Sequence, residues 1–177
     1  DHPLRFAIRD YYQLLDEHIG EIRELLTPDD LLLIVSDHGA KTMLGAVALN
    51  QWLLEKGYLT LQSEHPKQGA LIPELVDWTN TRAWADGGYI GRIYFNIVGR
   101  EPQGIVREQE VKSLVNQLRS ELRELGLDAP KKFTVEVLSN HQAYGDDHVG
   151  IPPDLTIILN DFSHRSLGTL GHPAIVT

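Results

Sequence analysis

The residues with the clearest chemical potential are Asp37 and His38, which stand side by side in the stretch LLLIVSDHGAK at residues 31–41. A carboxylate oxygen and an imidazole nitrogen are both good ligands for zinc or manganese. Neighbouring side chains of a strand point to opposite faces, so these two can converge on one ion only if the chain leaves the extended conformation there. Gly39 gives the backbone that freedom. The competing interpretation is that Asp37 caps a turn and His38 is an ordinary surface residue.

The apolar run before this pair predicts the element that positions it. Residues 31–35 are apolar without a break, which is typical of a strand covered on both faces, as in parallel sheets. In open α/β sheets, ligands bind beyond the carboxyl ends of the strands. We therefore predict that residues 31–35 form a central, buried strand and that Asp37 and His38 lie at the ligand-binding edge of its sheet.

The rest of the chain alternates between helical and extended patterns. Apolar spacing predicts helices over residues 4–26 and 111–125, with Gly126 ending the second, and a further helix can form over residues 44–56. Strands are predicted over residues 58–61, 92–98, 133–138 and 155–159. This alternation predicts an α/β fold with a mostly parallel sheet flanked by helices.

The charge and composition exclude several classes of function. The chain has 16 Lys and Arg against 25 Asp and Glu, a formal net charge of -9, and no cationic cluster, so we expect no binding to a nucleic-acid duplex. No apolar run approaches the ~20 residues that span a bilayer, and we expect no membrane partner. The absence of cysteine excludes disulfides and thiolate metal sites. We expect a cytoplasmic protein, with a periplasmic or secreted location left open.

Four segments, taken in order, carry a resemblance to a known family. The S-D-H-G stretch is followed by an N-x-W-L-x-x-x-G-Y-L pattern over residues 50–59, by AWADGGYIGRIYFNIVGREPQGIV over residues 83–106, and by PPDLTIIL over residues 152–159. This set resembles the nucleotide pyrophosphatase/phosphodiesterase branch of the alkaline-phosphatase superfamily. The resemblance implies an alkaline-phosphatase-like fold and hydrolysis of a small phosphodiester or nucleotide substrate.

The same resemblance implies a centre of two divalent metal ions, zinc with manganese as an alternative, and a threonine or serine nucleophile. Asp37 and His38 match the ligands of the metal that activates the nucleophile. No residue here matches the nucleophile, so residues 1–177 are interpreted as one α/β domain that forms the C-terminal part of a larger phosphodiesterase catalytic domain. The missing N-terminal half would be its partner, and the fragment alone is expected to be inactive. His164 and His172 are both considered for the family's late histidine ligand, and neither is assigned.

Other interpretations remain open at this point. The chain could be a non-catalytic α/β module, or it could serve another superfamily reaction such as phosphomonoester hydrolysis or phosphomutase chemistry. Arg100, Glu101 and Gln103 could contact a substrate, but a solvated loop is favoured. Residues 141–154 could hold a metal, but a polar surface loop is favoured. Residues 84–89 are interpreted as a tight turn over the core.

Overall fold

The computed structural model describes residues 2–63 and 68–177 and divides the chain into two units, Asp1–Gly39 and Ala40–Thr177. The first unit holds one helix, and the second holds all the strands that the described residues form. Each unit is treated by itself below. The prediction that both belong to one domain of a larger catalytic fold stays a prediction.

The first unit is built on one amphipathic helix. Helix α1 spans Ala7–Glu24, inside the predicted residues 4–26. The positive charge of Arg23 in its last turn stabilises the helix, because it lies at the negative end of the helix dipole. Asp30 then closes a turn by accepting hydrogen bonds from the Thr27 N–H and hydroxyl, both at 2.8 Å. These bonds lower the pKa of Asp30. None of the residues of α1 is buried.

The prediction of a buried strand over residues 31–35 is wrong for this structure. The segment has no regular secondary structure, and its side chains are 47% to 91% exposed. A strand becomes buried only when others pair with its edges and layers cover its faces. Residues 2–39 form no strand to pair with it, so the side chains of this apolar run stay exposed.

The second unit contains the remaining helices and all the described strands. The helices are α2 (Leu49–Glu55), α3 (Glu108–Asp128) and α4 (Asn140–Tyr144). The strands are β1 (Gly45–Ala48), β2 (Gly69–Ala70), β3 (Ala83–Asp86), β4 (Gly91–Phe95), β5 (Val135–Ser139), β6 (Leu155–Leu159), β7 (His164–Leu167) and β8 (Thr169–Leu170). The α/β class is therefore confirmed.

The strand directions differ from the predicted mostly parallel sheet. The largest sheet has the order β3-β4-β6-β5, and every pairing in it is antiparallel. The connection from β3 to β4 is residues 87–90, too short for the crossover of a dozen or more residues that a parallel pair requires. Strands β1 and β7 pair in parallel, and β2 pairs with β8 antiparallel.

The predicted helix over residues 44–56 is only partly correct, because its first part forms a strand. Its first part is β1, and α2 begins only at Leu49. Gly45 permits the pairing with β7 because a Cβ atom there would lie 2.9 Å from Cδ2 of His164. The predicted strand over residues 58–61 is wrong, since only Leu61 joins a bridge, to Val76. No helix in the described residues is long and apolar enough to cross a membrane.

The core of the second unit includes buried residues of the four-stranded sheet and of helices α2 and α3. Leu114, Leu118 and Leu122 of α3 are fully buried, as the apolar stripe predicts. The helix does not end at Gly126, as the sequence suggested, but continues to Asp128. Position 126 lies inside the helix and requires a glycine, because a Cβ atom there would come within 2.4 Å of the Phe133 carbonyl oxygen. This glycine serves close packing rather than termination.

Candidate functional site

The turn at Asp37 and His38 orients the two side chains toward each other. The His38 N–H donates to Oδ1 of Asp37 at 3.0 Å, and the Ser36 hydroxyl donates to the His38 carbonyl at 2.8 Å. These bonds bend the chain out of the extended form. Nε2 of His38 then lies 3.5 Å from Oδ2 of Asp37. The structure thus brings the two predicted ligands together on the surface of the first unit, with their side chains 81% and 88% exposed.

The donor chemistry of this pair fits a divalent cation. Nδ1 of His38 is 3.0 Å from the Gly39 carbonyl oxygen, which can only accept, so in the neutral ring the tautomer with the proton on Nδ1 satisfies this contact and leaves the lone pair on Nε2. Metal-binding histidines commonly donate their other ring N–H to a carbonyl in this way. Two ligand atoms on one zinc, each at about 2.0–2.2 Å from it, lie roughly 3–3.5 Å apart. The pair is close to that separation.

Two ligands do not complete a metal site. Among the residues that the structure describes, no group of three or more His, Cys, Asp or Glu side chains could hold a metal ion. A catalytic zinc normally has about three protein ligands and one open position. The described part of the chain therefore supplies at most part of such a centre.

His164 is a core residue of the second unit. Its ring stacks on Phe133 with centroids 4.8 Å apart and planes inclined by 17°. Nδ1 lies 3.2 Å from the side-chain amide nitrogen of Asn160. Burial lowers the pKa of His164, because removing the imidazolium from water disfavours the charged form. These contacts account for His164 through packing.

Two other histidines of the second unit, His141 and His172, have local partners. Nε2 of His172 is 2.6 Å from the Thr169 hydroxyl, and Nδ1 is 3.2 Å from the Gln68 amide nitrogen. His141 pairs with Asp146 at 3.0 Å, and both side chains are exposed. The predicted polar surface loop over residues 141–154 is only partly correct: most of residues 141–151 are exposed, but residues 141–144 belong to helix α4, and Pro153 and Asp154 are buried.

The N-x-W-L-x-x-x-G-Y-L motif is structural. Asn50 is fully buried and donates through Nδ2 to the carbonyls of Ala85 and Gly168, both at 2.7 Å. Its Oδ1 accepts from the Ala85 N–H at 2.8 Å, so one side chain joins α2 to β3 and to the β7–β8 connection. Trp52 is buried and stacks on Tyr58. Burial, followed by the hydrogen bond to Glu121, raises the pKa of Tyr58.

A buried ion pair between Arg100 and Asp154 escaped the sequence analysis. The Arg100 guanidinium donates to both carboxylate oxygens of Asp154, at 2.8 and 2.7 Å, and also to the Phe95 carbonyl at 2.7 Å. The Phe95 N–H donates to Asp154 at 2.6 Å. The hydrogen bonds to Asp154 raise the pKa of Arg100. The prediction of a solvated loop is wrong for this residue, whose side chain is only 22% exposed.

A signal for this pair was present in the sequence. Asp154 directly precedes the apolar strand β6, and a charge beside a buried strand is costly without a partner. Glu101, which receives a 2.9 Å hydrogen bond from Arg100, is also largely covered, whereas Gln103 is exposed as predicted.

The comparisons with known proteins give one match. A family model described as type I phosphodiesterase/nucleotide pyrophosphatase matches residues 3–164. This range includes Asp37, His38, the Asn50 motif and the Arg100–Asp154 pair, and it ends at His164. No curated protein and no solved structure matches the chain.

Proposed function

Because the chain belongs to the type I phosphodiesterase/nucleotide pyrophosphatase family, we propose that it is part of a hydrolase acting on phosphodiester or pyrophosphate bonds and that Asp37 and His38 bind one divalent metal ion of its catalytic centre. The observation that carries this proposal is the 3.5 Å separation of Asp37 Oδ2 and His38 Nε2, with Nδ1 bonded to the Gly39 carbonyl. The substrate is a small phosphodiester or nucleotide. The metal is zinc, with manganese as the alternative.

The two side chains have separate tasks in this centre. The Asp37 carboxylate supplies negative charge to the cation, and His38 supplies a neutral nitrogen whose orientation is fixed from behind by the Gly39 carbonyl. A pair of divalent ions, when bound, neutralises the attacking and leaving oxygens of an in-line displacement at phosphorus. The local positive charge also explains how a chain with a net charge of -9 accepts an anionic substrate.

The proposal includes residues outside this chain. The described residues bring two ligands to one position and hold no group of three. In this proposal the nucleophile and the further metal ligands come from the N-terminal half of the same catalytic domain, apart from the family's late histidine, to which no residue is assigned. The 177-residue chain by itself is expected to bind zinc weakly and to hydrolyse no phosphodiester, since none of its residues is matched to the family's threonine or serine nucleophile.

The test is mutation in the longer polypeptide that contains this chain. Asp37→Ala and His38→Ala should each lower turnover of bis(4-nitrophenyl) phosphate by at least about a hundredfold while the far-ultraviolet circular dichroism stays unchanged, because each removes a metal ligand rather than a core contact. His141→Ala is the matched control, since His141 is also an exposed histidine paired with an aspartate. It should leave turnover unchanged.

Three results would contradict the proposal. Wild-type turnover in either Asp37→Ala or His38→Ala would show that the pair binds no catalytic metal. Efficient hydrolysis of 4-nitrophenyl phosphate with none of the diester would identify a phosphomonoesterase instead. For the 177-residue chain, stoichiometric tight binding of zinc together with diester turnover would show that this chain completes a site without the N-terminal half.

A further inference from the structure

A small aromatic pocket in the second unit suggests a ligand that is independent of Asp37 and His38. The cavity has a volume of about 200 Å³. An apolar cavity of roughly 150 Å³ is large enough to hold benzene, so this one accommodates a group of similar size. Its walls are two tryptophans, two prolines and three polar residues. They are Trp78 and Trp84, Pro73 and Pro102, and Asn96, Glu101 and Gln103.

The two indole rings are held in place by neighbouring groups. Trp78 donates through Nε1 to the Pro73 carbonyl at 3.1 Å. Trp84 stacks on Tyr94, with centroids 5.7 Å apart. The two indoles lie 5.1 Å apart and are inclined by 88° to each other. Both are half-buried and pack against the core, so they form a rigid aromatic corner.

The walls of the pocket are joined by one buried side chain. Asn96 is 1% exposed, and its Nδ2 lies 2.8, 2.9 and 3.0 Å from the carbonyls of Trp78, Thr81 and Gln103, which share its two N–H donors. It therefore links the tryptophan segment to the loop that carries Glu101, Pro102 and Gln103. The pocket is preformed, and little ordering is needed when a ligand enters.

The Arg100–Asp154 pair anchors the same loop and sets the charge beside the pocket. Arg100 binds Asp154 with two nitrogens and Glu101 with the third. One positive and two negative charges sum to −1 beside the cavity, and none of the residues that line it is Lys or Arg. An anionic ligand is disfavoured here, and a cation is attracted by both the carboxylate and the ring quadrupoles.

The angle between the two indole rings favours a rounded cation over a flat aromatic ligand. A planar ring can lie flat against only one of two perpendicular indoles. A tetrahedral trimethylammonium group is nearly spherical and can contact both. Aromatic walls that meet at an angle beside an acidic residue are the chemistry that recognises quaternary ammonium groups. We propose that this pocket binds a small quaternary ammonium compound of the choline type, with its methyl groups against Trp78 and Trp84.

The test is a titration of the 177-residue chain, labelled with ¹⁵N in tryptophan, with choline and with tetramethylammonium. The chain has three tryptophans, so its three indole N–H signals report separately. Those of Trp78 and Trp84 should move with each cation. The signal of Trp52, which is 1% exposed in the core, should stay in place and is the internal control.

The neutral isostere of choline tests the role of charge without any mutation. 3,3-Dimethylbutan-1-ol has the shape of choline with carbon in place of nitrogen, and it should bind about tenfold more weakly. Equal binding of the two compounds would overturn the proposal, because the pocket would then be merely apolar. An absence of shifts at Trp78 and Trp84 with either cation would overturn it as well, as would tighter binding of adenine.

Two variants locate the contacts. Trp78→Leu should weaken binding of tetramethylammonium by about tenfold, and Glu101→Gln by several-fold. Glu136→Gln removes the same charge from an exposed position of β5 and should have no effect. Thermal denaturation of each variant verifies its fold. A peptide carrying trimethyl-lysine that binds much more tightly than choline would indicate a protein partner and overturn the small-molecule assignment.

Discussion

Helices α1 and α3 carry the same kind of apolar stripe, but the stripe of α3 is buried and the stripe of α1 is exposed. In α3, Leu118 and its neighbours one turn away are completely buried. In α1, Ile8, Ile19 and Ile22 are 77%, 53% and 57% exposed. Periodicity predicted both helices correctly, because it reflects the local backbone repeat. It could not distinguish them further, since burial depends on what packs against the stripe.

The difference separates two sources of helix stability. Most of the stability of a helix in a protein comes from packing of its apolar face. The second unit provides α3 with a sheet, whereas the residues of the first unit provide α1 with no buried contact. Substitutions at matched positions of the two helices should therefore have different effects.

The largest effect is expected from truncation of the two stripes. Leu118→Ala should lower the free energy of unfolding of the second unit by about 2–5 kcal/mol, the usual cost of a cavity at a buried leucine. Ile19→Ala in α1 should change it by less than about 0.5 kcal/mol, as exposed substitutions do. Urea denaturation followed by the fluorescence of buried Trp52 measures both. An unchanged midpoint for Leu118→Ala would show that the α3 stripe is not core.

Replacing one glycine in each helix should give smaller effects, and the two effects should have opposite signs. Gly126→Ala in α3 should destabilise the chain by about 1–3 kcal/mol, because the new Cβ atom meets the Phe133 carbonyl and the packing must shift. Gly20→Ala in α1 meets nothing within 4 Å and should favour the helix by up to about 1 kcal/mol. Circular dichroism at 222 nm during thermal denaturation distinguishes the two. A loss of helix in Gly20→Ala would contradict the open environment of α1.

The smallest effect is the pH dependence that burial imposes on His164. Since burial lowers the pKa of His164 in the folded chain, the unfolded state binds the proton more readily, with a pKa of about 6.5. The contribution to stability is therefore complete above about pH 6.5 and is lost as the pH falls below it. His164→Phe keeps a ring on Phe133 and should lose less stability than the wild type between about pH 7.5 and pH 5. Identical losses in urea titrations would show that His164 does not contribute.

The sequence predicted elements better than environments. Strand β6 has the predicted bounds, and helix α3 extends a few residues beyond the predicted ones. Residues 31–35 were predicted as a central strand from composition alone, but pairing with distant strands is not encoded within five residues. Gly126 was read as a helix end because the contact that requires it, with Phe133, lies outside the helix.

The candidate site shows the same limit. Asp37 and His38 were found because adjacency places both donors in one short segment, and their metal role stays a prediction. Arg100 and Asp154 are 54 residues apart, and the position of Asp154 before β6 indicates that it needs a partner but not which residue that partner is. Trp84 was assigned to a turn, although it lies on β3; the turn itself follows at residues 87–90. The aromatic corner needs β3, the segment around Trp78 and the loop after β4 together, which no single stretch of sequence reveals.

The hydrogen bonds of Asn50 have a consequence for how relatives of this chain should be classified. Its amide joins three backbone segments of the second unit, so selection for folding alone is enough to retain the N-x-W-L motif. A homologue that has lost the S-D-H-G stretch should still keep Asn50 and Trp52, so the presence of this motif does not show that the proposed metal ligands are present. Genome surveys that count phosphodiesterases should therefore score residues 36–39 separately from residues 50–59.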